Sequence, residues 1–383
     1  MAENDDRMGA SPKAKREAIM KIKKLETFVK GQIGMVRVTT DDGKEGWGQL
    51  SPFNADITAI VFHRQVSRYA LGADPLDTET LSDRVIEGEY KYPGSYVCRG
   101  LCGLDTAMWD LRGKLEKKPV AELLGGTCRR LKVYGSSMRR DIKPEDEAAR
   151  LVKCRDSLGY GAFKIRIGKV CGHDVDEWPG RTDALVPACR KAIGKDVVLL
   201  VDGNSCYTPK KAIEVGRMLE ANDVGHFEEP CPYWELEWTA EVAAALKVPV
   251  AGGEQDCDLA QWRRMINMRA VDIVQPDICY IGGLTRAMRV AKMAAEKGLP
   301  CVPHSANVSM VLIFTLHMMA AIPNAGPHIE YCIEPGEWIS GPEGLYRPIL
   351  SVKDGMVQVP EGPGWGVEPN KAWLEKAARQ VSE

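Results

Sequence analysis

From residue 131 to residue 331 the chain repeats one pattern. A short apolar run is followed by a polar break, then by a longer stretch with apolar positions at helical spacing. Strands are predicted near 132–136, 162–167, 197–202, 224–228, 248–253, 272–276, 300–304 and 327–331. Helices are predicted between them, among them 145–158, 208–221, 257–267 and 283–297. Pro144 stands where the first of these helices begins, a position that needs no N–H donor. The apolar stretch Val308 to Ile322 is too short to span a bilayer and reads as a buried helix. Eight strands with intervening helices predict a parallel barrel over residues 131–342.

The chain before residue 131 follows another pattern. Met20 to Val29, Gly34 to Thr39 and Glu45 to Gln49 read as antiparallel strands, with Asp41-Asp42-Gly43 as a turn. Residues 55–124 then turn helical, and Cys102 to Leu115 puts Leu104, Met108, Leu111 and Leu115 on one face. Strands followed by helices predict an α+β unit over 19–130. Residues 343–383 return to a mixed pattern, with Met356 to Val359 as a candidate strand, and are expected to pack back on the first unit. Residues 1–18 are mostly polar and lack the apolar core of a secretory signal; they read as a flexible tail.

Composition narrows the function. A net charge of −2 gives no electrostatic footprint for nucleic acid. No apolar run approaches the roughly 20 residues that span a bilayer. The 12 cysteines are scattered without a CxxC pair, which argues against zinc and for a reduced, cytoplasmic setting.

The candidate chemistry lies at the ends of three apolar runs. Val198 to Val201 ends in Asp202, Val224 to Phe227 in Glu228, and Val248 to Gly253 in Glu254. The three acids stand 26 residues apart twice, the length of one strand–helix repeat, so they occupy equivalent points of successive repeats. In a parallel barrel those points are the C-terminal strand ends, where side chains converge. Any one acid alone reads equally as a helix cap or an ordinary strand end. Three in register, with Gly252 and Gly253 clearing space before the last, point to a site. Clustered carboxylates repel unless a cation holds them, and all-oxygen ligation suits a hard ion such as Mg²⁺.

Lys164-Ile165-Arg166, Asp202-Gly203-Asn204, Glu228-Glu229-Pro230, Gly253-Glu254, Gln275-Pro276-Asp277 and Pro303-His304 stand in one order. In that order the chain resembles the enolase superfamily and, within it, the mandelate racemase group, over roughly residues 19–383. The resemblance implies a (β/α)7β modified TIM barrel, an α/β fold, under an α+β capping domain built from the N-terminal region and the C-terminal tail. It implies removal of a proton α to a carboxylate, assisted by one Mg²⁺, with Mn²⁺ as a substitute. Members of the group are mainly acid-sugar dehydratases, with some racemases and cycloisomerases.

Physical chemistry assigns expected roles to the matching residues. Deprotonation beside a carboxylate creates an enediolate, whose charge a bound cation stabilises. Asp202, Glu228 and Glu254 would hold the metal, and Asn204 would orient the ion or the substrate, or serve as a turn residue. His304 and Asp277 end neighbouring strands, so the carboxylate can hold one imidazole nitrogen while the other faces substrate as base and acid. His226 points to the same side as Glu228 by strand alternation and is read as structural. The resemblance implies that Glu330, near the last strand end, hydrogen-bonds the substrate carboxylate.

Two departures from the group's pattern are visible. Racemases of the group carry lysine as a second base where this chain has Arg166; arginine stays protonated, so Arg166 is a poor base but would pair with the substrate carboxylate or the developing negative charge. Lys164, on the same strand face, would support the substrate carboxylate or act as a base. Alternatively, both are only counter-charges to the acids. Loss of the second lysine favours a lyase over a racemase, because one histidine can serve dehydration alone. The second departure is the short connection Lys30-Gly31-Gln32, which leaves enclosure of the substrate to Ser51–Asp56, Glu89–Ser95 or a neighbouring subunit. Phe53, Tyr90 and Tyr92 are the candidates there.

The expected activity is dehydration of an aldonic or aldaric acid to a 2-keto-3-deoxy acid. The partner is a small-molecule carboxylate, and a cytoplasmic homo-oligomer is expected. An epimerase or cycloisomerase using Lys164 and His304 is the alternative enzyme, and a non-catalytic ligand-binding barrel the alternative of another class.

Overall fold

The computed structural model describes residues 20–335 and 344–383. The tail expected over 1–18 and the boundary expected at 342/343 lie outside these residues.

Three antiparallel strands open the described chain: β1 (Ile22–Lys30), β2 (Ile33–Thr40) and β3 (Glu45–Gln49). Gly31, at φ +58, turns β1 into β2 in a conformation that costs glycine no Cβ clash. Helices α1 (Ala55–Val61), α2 (Ser67–Ala70), α3 (Thr78–Gly88) and α4 (Ser95–Glu116) follow, with a π-helical turn, Phe62–Val66, between the first two. Helix α4 lies flat on the sheet because β3 presents bare backbone to it. A Cβ at Gly48 would stand 2.4 Å from Thr106 Oγ1, and one at Gly46 2.1 Å from the Ala107 carbonyl oxygen. The face expected from Cys102 to Leu115 is the second half of α4, with Leu104, Met108 and Leu111 buried and Leu115 half-buried. The helix begins earlier, at Ser95. Val97, Gly100 and Gly103 weaken its local helix signal, and packing on the sheet sustains it.

After α5 (Val120–Leu123) the alternating pattern begins. It runs β4 (Arg130–Ser136), α6 (Pro144–Leu158), β5 (Ala162–Arg166), α7 (Arg181–Ile193), β6 (Val198–Asp202), α8 (Pro209–Ala221), β7 (Val224–Glu228) and α9 (Leu236–Ala245). It continues with β8 (Val250–Gly252), α10 (Leu259–Met268), β9 (Ile273–Val274), α11 (Ile278–Ile281), α12 (Leu284–Ala295), α13 (Met310–Met319) and β10 (Ile329–Cys332). The strands pair in parallel in the order β10-β4-β5-β6-β7-β8-β9. Cys301 bridges Val274 on one side and Ala325 on the other, which closes the ring. The fold is a modified TIM barrel with an N-terminal capping domain.

The barrel interior is layered. Tyr134, Ala162, Leu200 and Val302 pack as an apolar floor. Residues of the opposite alternation, such as Phe163, Ile165, Leu199, Val201 and Phe227, face the surrounding helices. Every residue of α13 is buried, as the uninterrupted apolar run predicts. His317 within it is fixed from both sides: Nδ1 accepts the Ala121 N–H at 3.0 Å, and Nε2 lies 3.1 Å from the Trp365 carbonyl oxygen.

The last segment visits both units. Strand β11 (Tyr346–Arg347) pairs with β13 (Glu368–Pro369), and β12 (Met356–Gln358) pairs antiparallel with β4 of the barrel. After α14 (Lys371–Leu374), β14 (Ala378–Ser382) joins the first sheet antiparallel to β1. The candidate strand at 356–359 thus packs on the barrel, and β14 carries the return to the capping sheet. Buried Glu26 on β1 accepts hydrogen bonds from Arg37 on β2, at 2.7 Å, and from Arg379 on β14, at 2.8 Å. Among the described residues no helix is long and apolar enough to cross a membrane.

Candidate active site

Strand register brings the expected residues to one rim. In the parallel ladder Arg166 pairs with Asp202, and Asp202 with Glu228, so three neighbouring strands end in charged side chains. Ser136 pairs with Lys164, and Tyr134 with Glu330. Lys164, Arg166, Asp202, Glu228, Glu254, Asp277, His304 and Glu330 are all buried. A polar layer thus stands directly on the apolar floor, with Lys164 Nζ 5.6 Å from the Tyr134 ring centroid.

The charges are paired around two lysine–carboxylate contacts. Lys164 Nζ lies 2.6 Å from Glu228 Oε1 and 2.9 Å from Glu330 Oε1. Burial would lower its pKa, but Glu228 and Glu330 hold it well above the ordinary lysine value, so it carries its proton. Burial likewise pushes the Glu228 carboxyl up, and the Lys164 charge with His226 brings it well below its usual range. Glu330 is brought to about 2 against burial by Lys164 and His304. Its other contacts are the Ser136 hydroxyl at 2.7 Å and the Ser305 N–H at 2.8 Å.

Arg166 faces the first acid. Its Nη1 donates to Asp202 Oδ2 at 2.8 Å and also to Asn204 Oδ1, and its Nε donates to the Ser137 carbonyl at 3.2 Å. Asn204 is wired to protein groups on every side. Its amide oxygen also accepts from Arg140 at 2.6 Å, its Nδ2 donates to Glu229 Oε2 at 3.4 Å, and its backbone N–H donates to Asp202 at 2.8 Å.

His304 sits between three carboxylates. Nδ1 lies 2.8 Å from Asp277 Oδ2, while Nε2 lies 3.3 Å from Glu254 and 3.9 Å from Glu330. The other Asp277 oxygen accepts the N–H groups of Cys279 and Tyr280 at 2.7 and 3.1 Å, which fixes the carboxylate at the start of α11. Burial would keep the imidazole neutral, but Glu254, Glu330 and Asp277 raise it to about 10. Burial, with Glu228 and Asp202 nearby, raises the Glu254 carboxyl to about 7.

Among the described residues, no three His, Cys, Asp or Glu side chains are gathered into one metal coordination set as they stand. The three acids instead each lie on a cationic partner: Asp202 on Arg166, Glu228 on Lys164 and Glu254 on His304. The donor set still fits a hard divalent cation. It supplies three buried carboxylates, and behind them Glu229 Oε1 is buried without a hydrogen-bond partner. Burial, and then repulsion from Glu254, Asp202 and Glu228, push the Glu229 carboxyl well above its usual range, as expected where acids outnumber nearby cations.

Several residues of the site were not legible in the sequence. Gln275 Nε2 donates to Glu228 Oε2 at 2.8 Å, and its signal was its place in the Gln275-Pro276-Asp277 motif. Ser136 ends β4 and could have been found as one more strand end. Arg140 lies in a loop and carries no sequence signal. His226 lies 3.4 Å from Glu228, on the side that strand alternation predicted. From the capping side, Ser51 and Arg99 approach the rim, whereas Tyr90 and Tyr92 are 70% and 71% exposed.

Known proteins resemble this chain over most of its length. The model described as "Enolase C-terminal domain-like" matches residues 146–373, and that of the "Mandelate racemase / muconate lactonizing enzyme, N-terminal domain" matches residues 15–125. Arabinonate dehydratase of Saccharolobus solfataricus is 31% identical over 343 residues, covering 88% of this chain and 87% of its own. D-galactarolactone cycloisomerase of Agrobacterium fabrum is 31% identical over 348 residues, covering 88% and 89%. The crystal structure of a candidate racemase from Roseobacter denitrificans superposes with a TM-score of 0.93 at 54% identity, covering 95% of this chain and all of that one.

Proposed function

The chain belongs to the mandelate racemase/muconate lactonizing enzyme family of the enolase superfamily, and from that premise we propose that it dehydrates an aldonic or aldaric sugar acid to a 2-keto-3-deoxy acid. Members of the superfamily generally bind Mg²⁺. In this chain Asp202, Glu228 and Glu254 would hold it, and its charge would stabilise the enediolate oxygens.

The observation that carries the reading is the carboxylate-oriented imidazole of His304 among the acids. His304 is backed by Asp277 at 2.8 Å and has its second nitrogen turned toward the acids. Lys164 and Arg166 are held as cations in buried ion pairs. The site therefore offers one carboxylate-oriented imidazole for proton transfer, and Lys164 and Arg166 as further positive charges beside it. In its neutral form, which a cation on Glu254 would favour by removing the anion that holds the ring charged, His304 takes the C2 proton at Nε2, with Asp277 holding the Nδ1–H and stabilising the imidazolium. The same proton then goes to the C3 hydroxyl, which leaves as water, and the enol product becomes the 2-keto acid. Lys164 orients the substrate carboxylate at the wall beside β5, and Glu330, ionised because its pKa is brought to about 2, holds that ammonium in place; the hydrogen bond expected from Glu330 to the substrate would need its protonated form.

The names of the relatives support both a dehydratase and an isomerase, and the Roseobacter denitrificans protein favours an epimerase as the second reading. That reaction requires a second base opposite His304, and Lys164 would have to lose its proton to serve. A library of aldonic and aldaric acids, incubated with the protein and Mg²⁺ in D₂O, decides between them. Formation of a 2-keto acid is the expected result. Epimerised, C2-deuterated substrate appearing faster than any keto acid would overturn the lyase reading. A non-catalytic barrel would give neither product nor exchange.

A further inference from the structure

Arg99 projects from the first turns of α4, on the capping side of the barrel rim. Its Nη1 donates to the Ser51 hydroxyl at 2.6 Å, and Ser51 itself is fully buried after β3. Its main chain is held as well, since the Ser51 N–H donates to the Arg99 carbonyl at 3.2 Å. The guanidinium carbon lies 3.8 Å from the centroid of the Tyr280 ring. That ring in turn lies 5.9 Å from the imidazole of His304. Among the described residues Arg99 makes no ion pair with a carboxylate, in contrast to Arg37, Arg150 and Arg289. A half-buried guanidinium that rests on the Tyr280 ring and hydrogen-bonds to hydroxyls, with no carboxylate paired to it, keeps its charge without a counter-charge.

Contacts link the rim step by step: Lys164 to Glu330, Glu330 to His304, His304 to Tyr280 and Tyr280 to Arg99. A substrate whose first carboxylate lies by Lys164 and whose C2–H faces His304 has Tyr280 beside its reacting carbon, and its far end can reach Arg99. The group it brings to Arg99 decides whether that cation gains a counter-charge.

We infer that Arg99, anchored by Ser51 and stacked on Tyr280, forms a subsite for a second carboxylate, so that the protein selects aldaric diacids over aldonic monoacids. The inference rests on the sugar-acid reading above. Arg99 and Tyr280 are assigned as specificity-determining residues, with no part in proton transfer. A planar guanidinium matches a carboxylate in two parallel hydrogen bonds, whereas a terminal hydroxymethyl group offers it one weak acceptor.

The test uses the full chain with Mg²⁺ and two pairs of probes, galactarate with D-galactonate and glucarate with D-gluconate. Binding is measured by calorimetry and turnover by keto-acid formation. For the wild type, at least one diacid should bind about tenfold or more tighter than its monoacid partner, the gain expected from one charge-assisted pair. Arg99→Gln should cut that diacid-to-monoacid ratio about tenfold, and Arg99→Lys should retain part of it. Ser51→Ala, which leaves the charge but removes its anchor, should lower the ratio less, and serves if Arg99→Gln does not fold. Equal affinity of the wild type for both members of each pair overturns the subsite. So does a loss in Arg99→Gln that is the same for diacid and monoacid. Preferential diacid binding without keto-acid formation upholds the subsite and defeats the dehydratase reading instead.

Discussion

His304 Nδ1 and Asp277 Oδ2 lie 2.8 Å apart although 27 residues separate them in the chain. The backbone brings them together as well, since the His304 N–H donates to the Pro276 carbonyl at 3.2 Å. Two neighbouring strand ends thus fix the imidazole by its ring and by its main chain. His304→Asn should leave a folded, Mg²⁺-binding protein whose turnover falls by about 10²–10⁴, the usual worth of a general base. Asp277→Asn should cost less, about 10–100-fold, because the amide oxygen can still cap α11 while the charge that orients the ring is lost. Near-normal turnover of His304→Asn on the identified substrate would remove it from the mechanism.

Turnover should require a divalent cation and stop in excess EDTA, with Mn²⁺ substituting for Mg²⁺. Glu254→Gln should abolish the calorimetric Mg²⁺ signal while the melting temperature in EDTA stays close to wild type. The carboxylate it removes is crowded by Glu228 and Asp202, so its loss relieves repulsion in the empty site. Full activity in EDTA would sink the assignment of Asp202, Glu228 and Glu254 as ligands.

Arg166 is the nearest cation to Asp202, at 2.8 Å, and both are buried. Arg166→Met leaves that acid without a partner, a loss of about 3 kcal/mol for a broken buried pair. Adding Mg²⁺ should therefore raise the melting temperature of Arg166→Met by more than it raises that of the wild type. Arg166→Lys should fall between them, since a shorter ammonium keeps the charge but not the fork. Identical Mg²⁺ shifts in all three proteins would show that Arg166 and the cation do not share Asp202.

His317 supplies a pH dependence away from the site. Burial lowers its pKa from 6.5 to about 4, against a smaller opposing effect of the Trp365 carbonyl. Its partners require the neutral ring with the proton on Nε2, because Nδ1 accepts the Ala121 N–H. A depressed histidine favours the unfolded chain once that chain begins to protonate. Its contribution is complete above pH 6.5 and is lost as pH falls toward 4, by about 3 kcal/mol in all. Melting temperatures of wild type and His317→Gln should converge across that window. Parallel curves would show that His317 does not titrate in it.

How much of this was legible in the sequence depended on the length scale of the signal. Asp202, Glu228 and Glu254 were found because one strand–helix repeat fixes their spacing, and Asp277 and His304 because each ends an apolar run. The partners that set their charge were harder to find. Lys164 meets Glu228 and Glu330 through lateral register between strands, and sequence spacing says nothing about which side chains then touch. Arg140 and Arg99 are positioned by a loop and by a helix whose first turns have weak local propensity. Strand β9 is only two residues long, and it was recognisable because Gln275-Pro276-Asp277 follows it.

Glu26 and Arg379 are joined across 353 residues, and that separation orders the making of the protein. A ribosome releases β1, β2 and β3 first, yet the sheet they begin lacks a strand until residues 378–382 emerge. In the interval Glu26 has Arg37 beside it but not Arg379. The intervening barrel, with its local strand–helix contacts, can gather its core while the cap is still a three-stranded sheet with an open edge. Ser51 and Arg99 belong to the same capping unit, whose sheet is complete only with β14. Nascent chains halted before β14 would carry the barrel acids under an incomplete roof.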